Sequence, residues 1–211
     1  MLASRPQLPI RQAQGDTPQV LTDVLQDTVN MAVWQRRLPV QIEDFANALL
    51  SLNQPVGERR VLELDARHQS PELDGVLAGY ADVQGREAFI ADVAWLVAAF
   101  SCLLDARRVG LRVTALDRAM CPRFHVDHVP VRLLTTYAGP GSEWLKEGAI
   151  QRSRLADEQP DLCEIQQLVA GDVALLKGEK WLGNQGAGLV HRSPSLARGE
   201  RRLILSLDWL A

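Results

Sequence analysis

The residues of this chain best suited to chemistry are a histidine and an aspartate that stand two positions apart. They are His125 and Asp127, within the run Phe-His-Val-Asp-His that begins at residue 124. On a β-strand, residues i and i+2 point to the same face, so the imidazole and the carboxylate would project into one cavity. A neighbouring strand could add His191, which follows the run Gly-Leu-Val. The pattern predicts a divalent metal ion bound by His125, Asp127 and His191.

The types of these three ligands indicate which metal they would bind. Two histidines and one carboxylate on one face of an octahedron leave the other positions open, which is the arrangement of non-haem Fe(II) oxygenases. Neutral imidazole and a hard carboxylate both suit Fe(II). The expected metal is therefore iron in its ferrous state.

An arginine begins the last alternating segment of the chain. By strand alternation, Arg202 shares one face with Ile204, Ser206 and Asp208. A charge that points into a barrel needs a partner, because an unpaired buried charge costs several kcal/mol. A bound dicarboxylate would supply one through a bidentate contact with the guanidinium. The adjacent Arg201 leaves open which of the two arginines faces the cavity.

Two kinds of sequence must position these residues, and the change falls near residue 107. Residues 1–106 predict an N-terminal layer of helices, with short strands possible at 31–34 and 58–64, and residues 107–211 predict short strands separated by turn residues. The predicted helices cover 17–30, a segment opened by Pro39, and 85–105, and the later strands cover 109–116, 123–129, 131–138, parts of 167–176, 188–191 and 202–209. We expect an α+β protein in which the helical layer packs on a C-terminal β-barrel within one fold unit.

The order of these features resembles a known superfamily. A His-x-Asp motif, a distal histidine and an arginine on the last strand are similar to the Fe(II)/2-oxoglutarate-dependent dioxygenases, which have a double-stranded β-helix (jelly-roll, cupin-like) core. The prolyl-hydroxylase-like branch is the most similar, through the runs Arg-Leu-Leu-Thr-Thr-Tyr (132–137), Gly-Pro-Gly-Ser-Glu-Trp-Leu (139–145) and Gly-Asp-Val-Ala-Leu-Leu-Lys-Gly (171–178). This likeness covers residues 107–211. The whole chain also resembles an uncharacterised bacterial domain family.

The resemblance implies roles for particular residues. It implies iron ligands at His125, Asp127 and His191, and a salt bridge between Arg202 and the distal carboxylate of 2-oxoglutarate. Further hydrogen bonds to that carboxylate are expected from Thr135 or Tyr137 and from Ser206. The implied activity is a hydroxylase-type oxidation of an unknown small molecule or protein side chain.

Two other functions fit the same residues. Cys121 and His128, with His125 and Asp127, form a dense set of zinc-type donors, which would suit a non-enzymatic zinc-binding or other metal-binding protein on a jelly-roll scaffold. A cupin-like metalloenzyme could instead keep the three ligands without 2-oxoglutarate, in which case Arg202 would pair with a carboxylate of the chain.

Composition limits the class of protein and its partners. The chain has 211 residues, of which 46% are hydrophobic and 23% charged, as in an average soluble globular protein. The net charge of −3 predicts no nucleic-acid partner. We expect no membrane segment, because Asp92 interrupts the longest apolar run, and no secretory signal. Three widely spaced cysteines predict a reducing, cytoplasmic location, and sheet edges allow a homodimer.

Overall fold

The computed structural model describes residues 9–64, 71–155 and 160–210, and within them the chain forms ten β-strands and two α-helices. The strands are β1 Arg11–Gly15, β2 Val29–Trp34, β3 Gly57–Glu63, β4 Arg108–Leu116, β5 Val131–Ala138, β6 Glu143–Leu145, β7 Ile165–Gln167, β8 Val173–Lys177, β9 His191–Arg192 and β10 Arg202–Leu210. The helices are α1 Val40–Ser51 and α2 Arg86–Leu104, and a 3₁₀ helix spans Pro18–Leu25.

The strands of the described chain make two sheets. Seven form a large sheet in the order β1-β2-β8-β5-β10-β4-β3, and three form a small sheet in the order β7-β6-β9. Neighbouring strands are antiparallel, apart from β1 and β2, which are parallel. Leu134 and Leu176 of the large sheet meet Trp144 of the small sheet in one buried apolar cluster. Two sheets packed face to face in this way form a jelly-roll-like fold.

The two helices cover the outer face of the large sheet. Leu203, Leu205 and Leu207 of β10 are fully buried in the main core, together with Phe45 of α1 and Phe89 of α2. Since side chains alternate along a strand, the residues between these leucines face the space between the two sheets. The large sheet therefore separates an outer helical core from an inner space.

The N-terminal half contains more strand than the helical layer predicted from the sequence. The short strands that were possible at 31–34 and 58–64 are present as β2 and β3, whereas β1 was not predicted. The helices α1 and α2 are present, but β1, β2 and β3 join the large sheet. The helix predicted over 17–30 is wrong in its second part, because a 3₁₀ helix ends at Leu25 and β2 follows. Five successive residues of β2 are buried, as expected of a strand that is covered on both faces. The proposed boundary between residues 106 and 107 falls in the turn between α2 and β4.

Among the described residues, α2 is the one helix long and apolar enough to span a membrane, with a mean hydropathy of 1.8. Core helices of soluble proteins meet the same criterion. In this chain Phe89 and Phe100 of α2 are buried in the main core, and Asp92 forms an ion pair with Arg36 at 2.6 Å. These contacts are those of a core helix, and the expected absence of a membrane partner stays a prediction.

Candidate metal centre

The segment that carries the His-x-Asp motif is not a regular strand. The strand predicted over 123–129 is reduced to one isolated bridge, in which His125 lies opposite His191. Two backbone hydrogen bonds of 3.0 Å, one in each direction, join the pair. A residue pair that exchanges both hydrogen bonds lies directly opposite across the ladder. The bridge therefore places the two imidazoles side by side, with ring centroids 4.6 Å apart.

The three predicted ligands come together at this bridge. One carboxylate oxygen of Asp127 lies 3.6 Å from Nε2 of His125, and the other lies 3.5 Å from Nε2 of His191. The three donor atoms all lie within 4.8 Å of one another. Nitrogen and oxygen ligands sit at about 2.0–2.2 Å from a divalent transition metal, so this spacing allows all three to contact one ion.

Backbone carbonyls orient both imidazoles. Nδ1 of His125 lies 2.9 Å from the carbonyl oxygen of Arg123, and Nδ1 of His191 lies 3.2 Å from that of Leu189. A carbonyl oxygen only accepts, so each Nδ1 carries the proton and donates. The lone pair of each ring is then on Nε2, the atom nearest to Asp127. This is the usual outer contact of a metal-binding histidine.

Electrostatics keep Asp127 and His191 in metal-binding form. Burial opposes ionisation of Asp127, but the nearby imidazoles of His125 and His191 and the charge of Arg132 outweigh it and lower the pKa of the carboxyl to about 2. Burial lowers the pKa of His191 to about 4. Asp127 is thus ionised and His191 neutral near pH 7, as metal coordination requires. The neighbouring Asp127 carboxylate raises the pKa of His125 despite partial burial.

Arg132 holds the carboxylate of Asp127 in place, a contact that the sequence did not reveal. Its Nη1 donates to Oδ2 of Asp127 at 2.7 Å, and its Nε donates to Oδ1 of Asp208 at 2.6 Å. Asp208 also binds Arg112. Arg132 and Asp208 are paired in the register of β5 and β10. The signal for this contact is the sheet register, which the sequence alone does not provide.

A cavity of about 120 Å³ adjoins the two histidines. Its walls include Ser142, the apolar residues Leu134 and Ile204, and Ser206, which the sequence had placed on this face. Ser142 connects this cavity to Arg202, because its hydroxyl accepts a hydrogen bond from the guanidinium.

Arg202 is a buried arginine with incomplete hydrogen bonding. It is 1% exposed, and its Nη2 donates to Oγ1 of Thr136 at 3.0 Å and to Oγ of Ser142 at 3.1 Å. Its Nε and Nη1 have no hydrogen-bond partner among the described residues. Burial lowers its pKa to about 10, so it stays charged at neutral pH. Arg201 is turned elsewhere, since it donates to the carbonyl oxygens of Leu50 and Gln54.

The turn after β5 allows this close packing around Arg202. Gly139 has a φ of +80°, a conformation that residues with a side chain rarely adopt. A Cβ atom at this position would lie 2.9 Å from Cβ of Arg202. The glycine therefore lets the backbone turn directly against the arginine, toward Ser142.

The predicted contacts of Thr135 and Tyr137 with the cofactor carboxylate are corrected by the structure. Thr136 touches Arg202, so by alternation its two neighbours point to the helical face. The hydroxyl of Tyr137 donates to Asp92 at 2.6 Å, and its ring packs against Phe89. The sequence Thr-Thr-Tyr does not reveal which residues face inward, and Thr136, not Thr135, lies beside Arg202.

The four donors proposed for zinc do not all come together in the described part of the chain. The group of mutually close donors consists of His125, Asp127 and His191. Cys121 lines the cavity but lies outside this group, and His128 is exposed. The structure thus favours the ligand set that contains His191.

Comparison with solved structures identifies the fold. The chain is similar to dioxygenase for auxin oxidation 1 of Arabidopsis thaliana, solved with 2-oxoglutarate, at 9% identity and a TM-score of 0.55, covering 96% of this chain and 92% of that one. A putative oxygenase of Shewanella oneidensis has 10% identity and a TM-score of 0.51, with coverage of 96% and 90%. A prolyl-4-hydroxylase of Pseudomonas putida has 13% identity and a TM-score of 0.48, with coverage of 90% and 96%. The chain therefore shares its jelly-roll-like fold with the first two of these structures.

The family of the chain is shown by its sequence. Residues 15–208 match the family described as "Protein of unknown function (DUF1826)", and the chain belongs to that family. A search of the curated proteins finds no significant match. The resemblance to the prolyl-hydroxylase-like branch in particular stays a prediction.

Proposed function

We propose that this protein is an Fe(II)- and 2-oxoglutarate-dependent oxygenase of the hydroxylase type. The observation that carries the proposal is Arg202, a buried guanidinium with two unpartnered nitrogens, close to a cavity whose walls include His125 and His191 of the His-Asp-His group. An unpaired buried charge is costly, and the distal carboxylate of 2-oxoglutarate would satisfy it. Asp208, an alternative partner in the chain, contacts Arg112 and Arg132 instead.

The residues present fit both groups. His125, Asp127 and His191 would hold Fe(II), which together with 2-oxoglutarate and O₂ supplies the oxidising chemistry when bound. Arg132 fixes the Asp127 carboxylate, and the backbone carbonyls fix both imidazoles. Arg202 would receive the distal carboxylate of 2-oxoglutarate, with hydroxyls of Thr136 and Ser142 beside it. The apolar walls Leu134 and Ile204 would exclude water from the reacting groups.

We extend the proposal to the setting of the reaction. The substrate would be a small molecule or a protein side chain, and neither nucleic acid nor a membrane would take part. The protein would act in the cytoplasm, where its three cysteines stay reduced, and a homodimer through sheet edges is compatible with the proposal.

Anaerobic titration tests the cofactor assignment. Adding Fe(II) and then 2-oxoglutarate to the purified protein is expected to give a metal-to-ligand charge-transfer band in the visible range. Arg202→Met removes the charged partner of a carboxylate, an effect of about 2–5 kcal/mol, so the affinity for 2-oxoglutarate should fall at least roughly 30-fold. The matched control Arg201→Met should keep the band.

Two results would overturn this assignment. Absence of the band in the wild-type protein at saturating Fe(II) and 2-oxoglutarate would remove the cofactor. Unchanged affinity for 2-oxoglutarate in Arg202→Met would remove the role of Arg202, and would favour a cupin-like metalloenzyme that works without 2-oxoglutarate.

A further inference from the structure

The cavity beside the metal ligands is lined by basic residues. Among the described residues that form its walls are Arg59, Arg112, Arg132 and Arg192, and none of these wall residues is an aspartate or a glutamate. Four arginines around a cavity of about 120 Å³ are far more charge than an apolar substrate would need. A cavity lined by one sign of charge attracts ligands of the opposite sign.

Nearby carboxylates neutralise part of this charge. Arg132 contacts Asp127 and Asp208, and Arg112 contacts Asp208 as well. Arg192 binds Glu143 at 2.6 Å. Asp127 is at the same time a candidate metal ligand, and a divalent ion there would add two positive charges. The carboxylates of the chain therefore leave an excess of positive charge next to the proposed reaction centre.

Arg59 differs from the other three arginines because it has no polar partner in the part of the chain that the structure describes. It makes no ion pair or hydrogen bond with any described residue. In the register of β3 and β4 it lies directly opposite Arg112. Like charges at directly opposed positions destabilise a sheet, so the pairing has a cost that an anion between them would remove. By contrast, the next residue, Arg60, lies 3.7 Å from Glu58.

The strand edge leaves room for a ligand next to this pair. On β3, Gly57 lies opposite Thr114, which also lines the cavity. A Cβ atom built on Gly57 would meet nothing within 4 Å. Ser206 is paired with Arg112 on its other side and adds a hydroxyl to the same wall. This wall thus combines two guanidinium groups, two hydroxyls and open space.

We propose that Arg59 and Arg112 bind an oxyanion of the substrate, a carboxylate or a phosphate, and so select an anionic substrate for the proposed oxygenase. This inference rests on the proposed function, because it treats the cavity as the reaction centre. The oxyanion site is separate from Arg202, which would bind the 2-oxoglutarate carboxylate. Arginine is well suited to the task, since its planar fork binds carboxylates and phosphates through two hydrogen bonds.

Side-chain NMR of arginine tests the proposal with defined probes. The protein is saturated with Zn(II) and 2-oxoglutarate, so that Arg202 is occupied, and is titrated with methyl phosphate, with propionate and with neutral propionamide. The Nε–Hε signals of Arg59 and Arg112 should shift with at least one of the anions and not with propionamide. Arg59→Gln should weaken binding of that anion about tenfold, which corresponds to about 1.4 kcal/mol. The control Arg60→Gln removes the same charge from the neighbouring position and should bind like the wild type.

Several outcomes would overturn the proposal. These are the absence of any shift with both anions, equal binding of propionamide and propionate, or equal loss of binding in Arg59→Gln and Arg60→Gln. The comparison of methyl phosphate with propionate shows which oxyanion the site prefers.

The same titration separates this inference from the proposed function. If Fe(II) and 2-oxoglutarate give the charge-transfer band while anions leave Arg59 unaffected, the oxyanion site is wrong and the oxygenase stands. If no band forms but the anion still binds in a manner that requires Arg59, the oxygenase is wrong and the site binds anions for another purpose.

Discussion

Two arginines on opposite faces of the large sheet, the partly buried Arg36 and the fully buried Arg202, differ in how they are paired. On the helical side, Arg36 contacts both carboxylate oxygens of Asp92 at 2.6 and 2.9 Å and donates through Nε to the carbonyl of Gly171. On the inner side, Arg202 has two hydroxyl contacts and two nitrogen atoms without a partner among the described residues. Burial lowers the pKa of Arg202. Burial acts in the same direction on Arg36, but the hydrogen bond and the charge of Asp92 outweigh it, so the pKa of Arg36 is raised.

The difference separates a structural polar network from a binding group. Arg36, Asp92 and Tyr137 are joined by hydrogen bonds that hold α2 on the sheet, and every guanidinium nitrogen of Arg36 has an acceptor. Arg202 keeps its charge in a low-dielectric environment although some of its N–H groups have no acceptor, and this lowers the stability of the free protein. Groups maintained against stability in this way are typical of functional sites.

The largest expected effect comes from breaking the paired network. Asp92→Ala leaves the charge of Arg36 buried without its partner, and should lower the free energy of unfolding by about 3–5 kcal/mol. Unfolding in a chemical denaturant measures this change in the free energy of unfolding. In the matched variant Arg202→Met, which removes an arginine that has no such partner, the free energy of unfolding should stay the same or rise. A loss of stability in Arg202→Met equal to that in Asp92→Ala would refute the distinction between the two arginines.

The next effect concerns the inner side alone. His191→Ala removes a proposed metal ligand and should weaken binding of Co(II) or Mn(II) by more than the roughly 100-fold that outer contacts of a metal site can contribute. Calorimetric titration of the metal measures the loss. Cys121→Ser, at the cavity wall but outside the ligand group, should bind metal like the wild type. If Cys121→Ser loses the metal and His191→Ala keeps it, the zinc-binding alternative is correct.

A smaller effect sharpens the assignment of Tyr137. Tyr137→Phe removes the hydrogen bond to the charged Asp92 and should destabilise the protein by about 1.5–3 kcal/mol. Because the hydroxyl lies on the helical face, the affinity for 2-oxoglutarate should not change. Thermal unfolding and the charge-transfer titration, carried out on the same sample, measure both quantities. Weaker 2-oxoglutarate binding with unchanged stability would return Tyr137 to the cofactor site.

The parts of the fold that could be predicted from the sequence are those with a strong local pattern. The apolar residues of α2 recur with helical spacing, and the residues of β10 alternate, so both elements were predicted close to their observed ends. β1 could not be predicted, because its five residues are mostly polar and only Ala13 is buried. Its strand conformation depends on pairing with β2, which is a tertiary contact.

The site shows the same division. The sequence predicted His125, Asp127, His191 and Arg202 as candidate site residues because few side chain types bind metals or carboxylates and their order along the chain is informative. It did not identify Arg132, Thr136 or Ser142, since arginine, threonine and serine at those positions have no local pattern that sets them apart. Their roles follow from which strand lies beside which.

By itself, the sequence determined which donor types the protein possesses and which residues of β10 share a face, because both are local properties of the chain. The tertiary structure decided that His125 lies opposite His191, that Thr136 and not Thr135 lies beside Arg202, and that Arg59 lies opposite Arg112. The physical reason is that alternation fixes only relative orientation along one strand. Which face turns inward, and which residues meet across strands, depends on sheet register and on the burial of distant apolar residues.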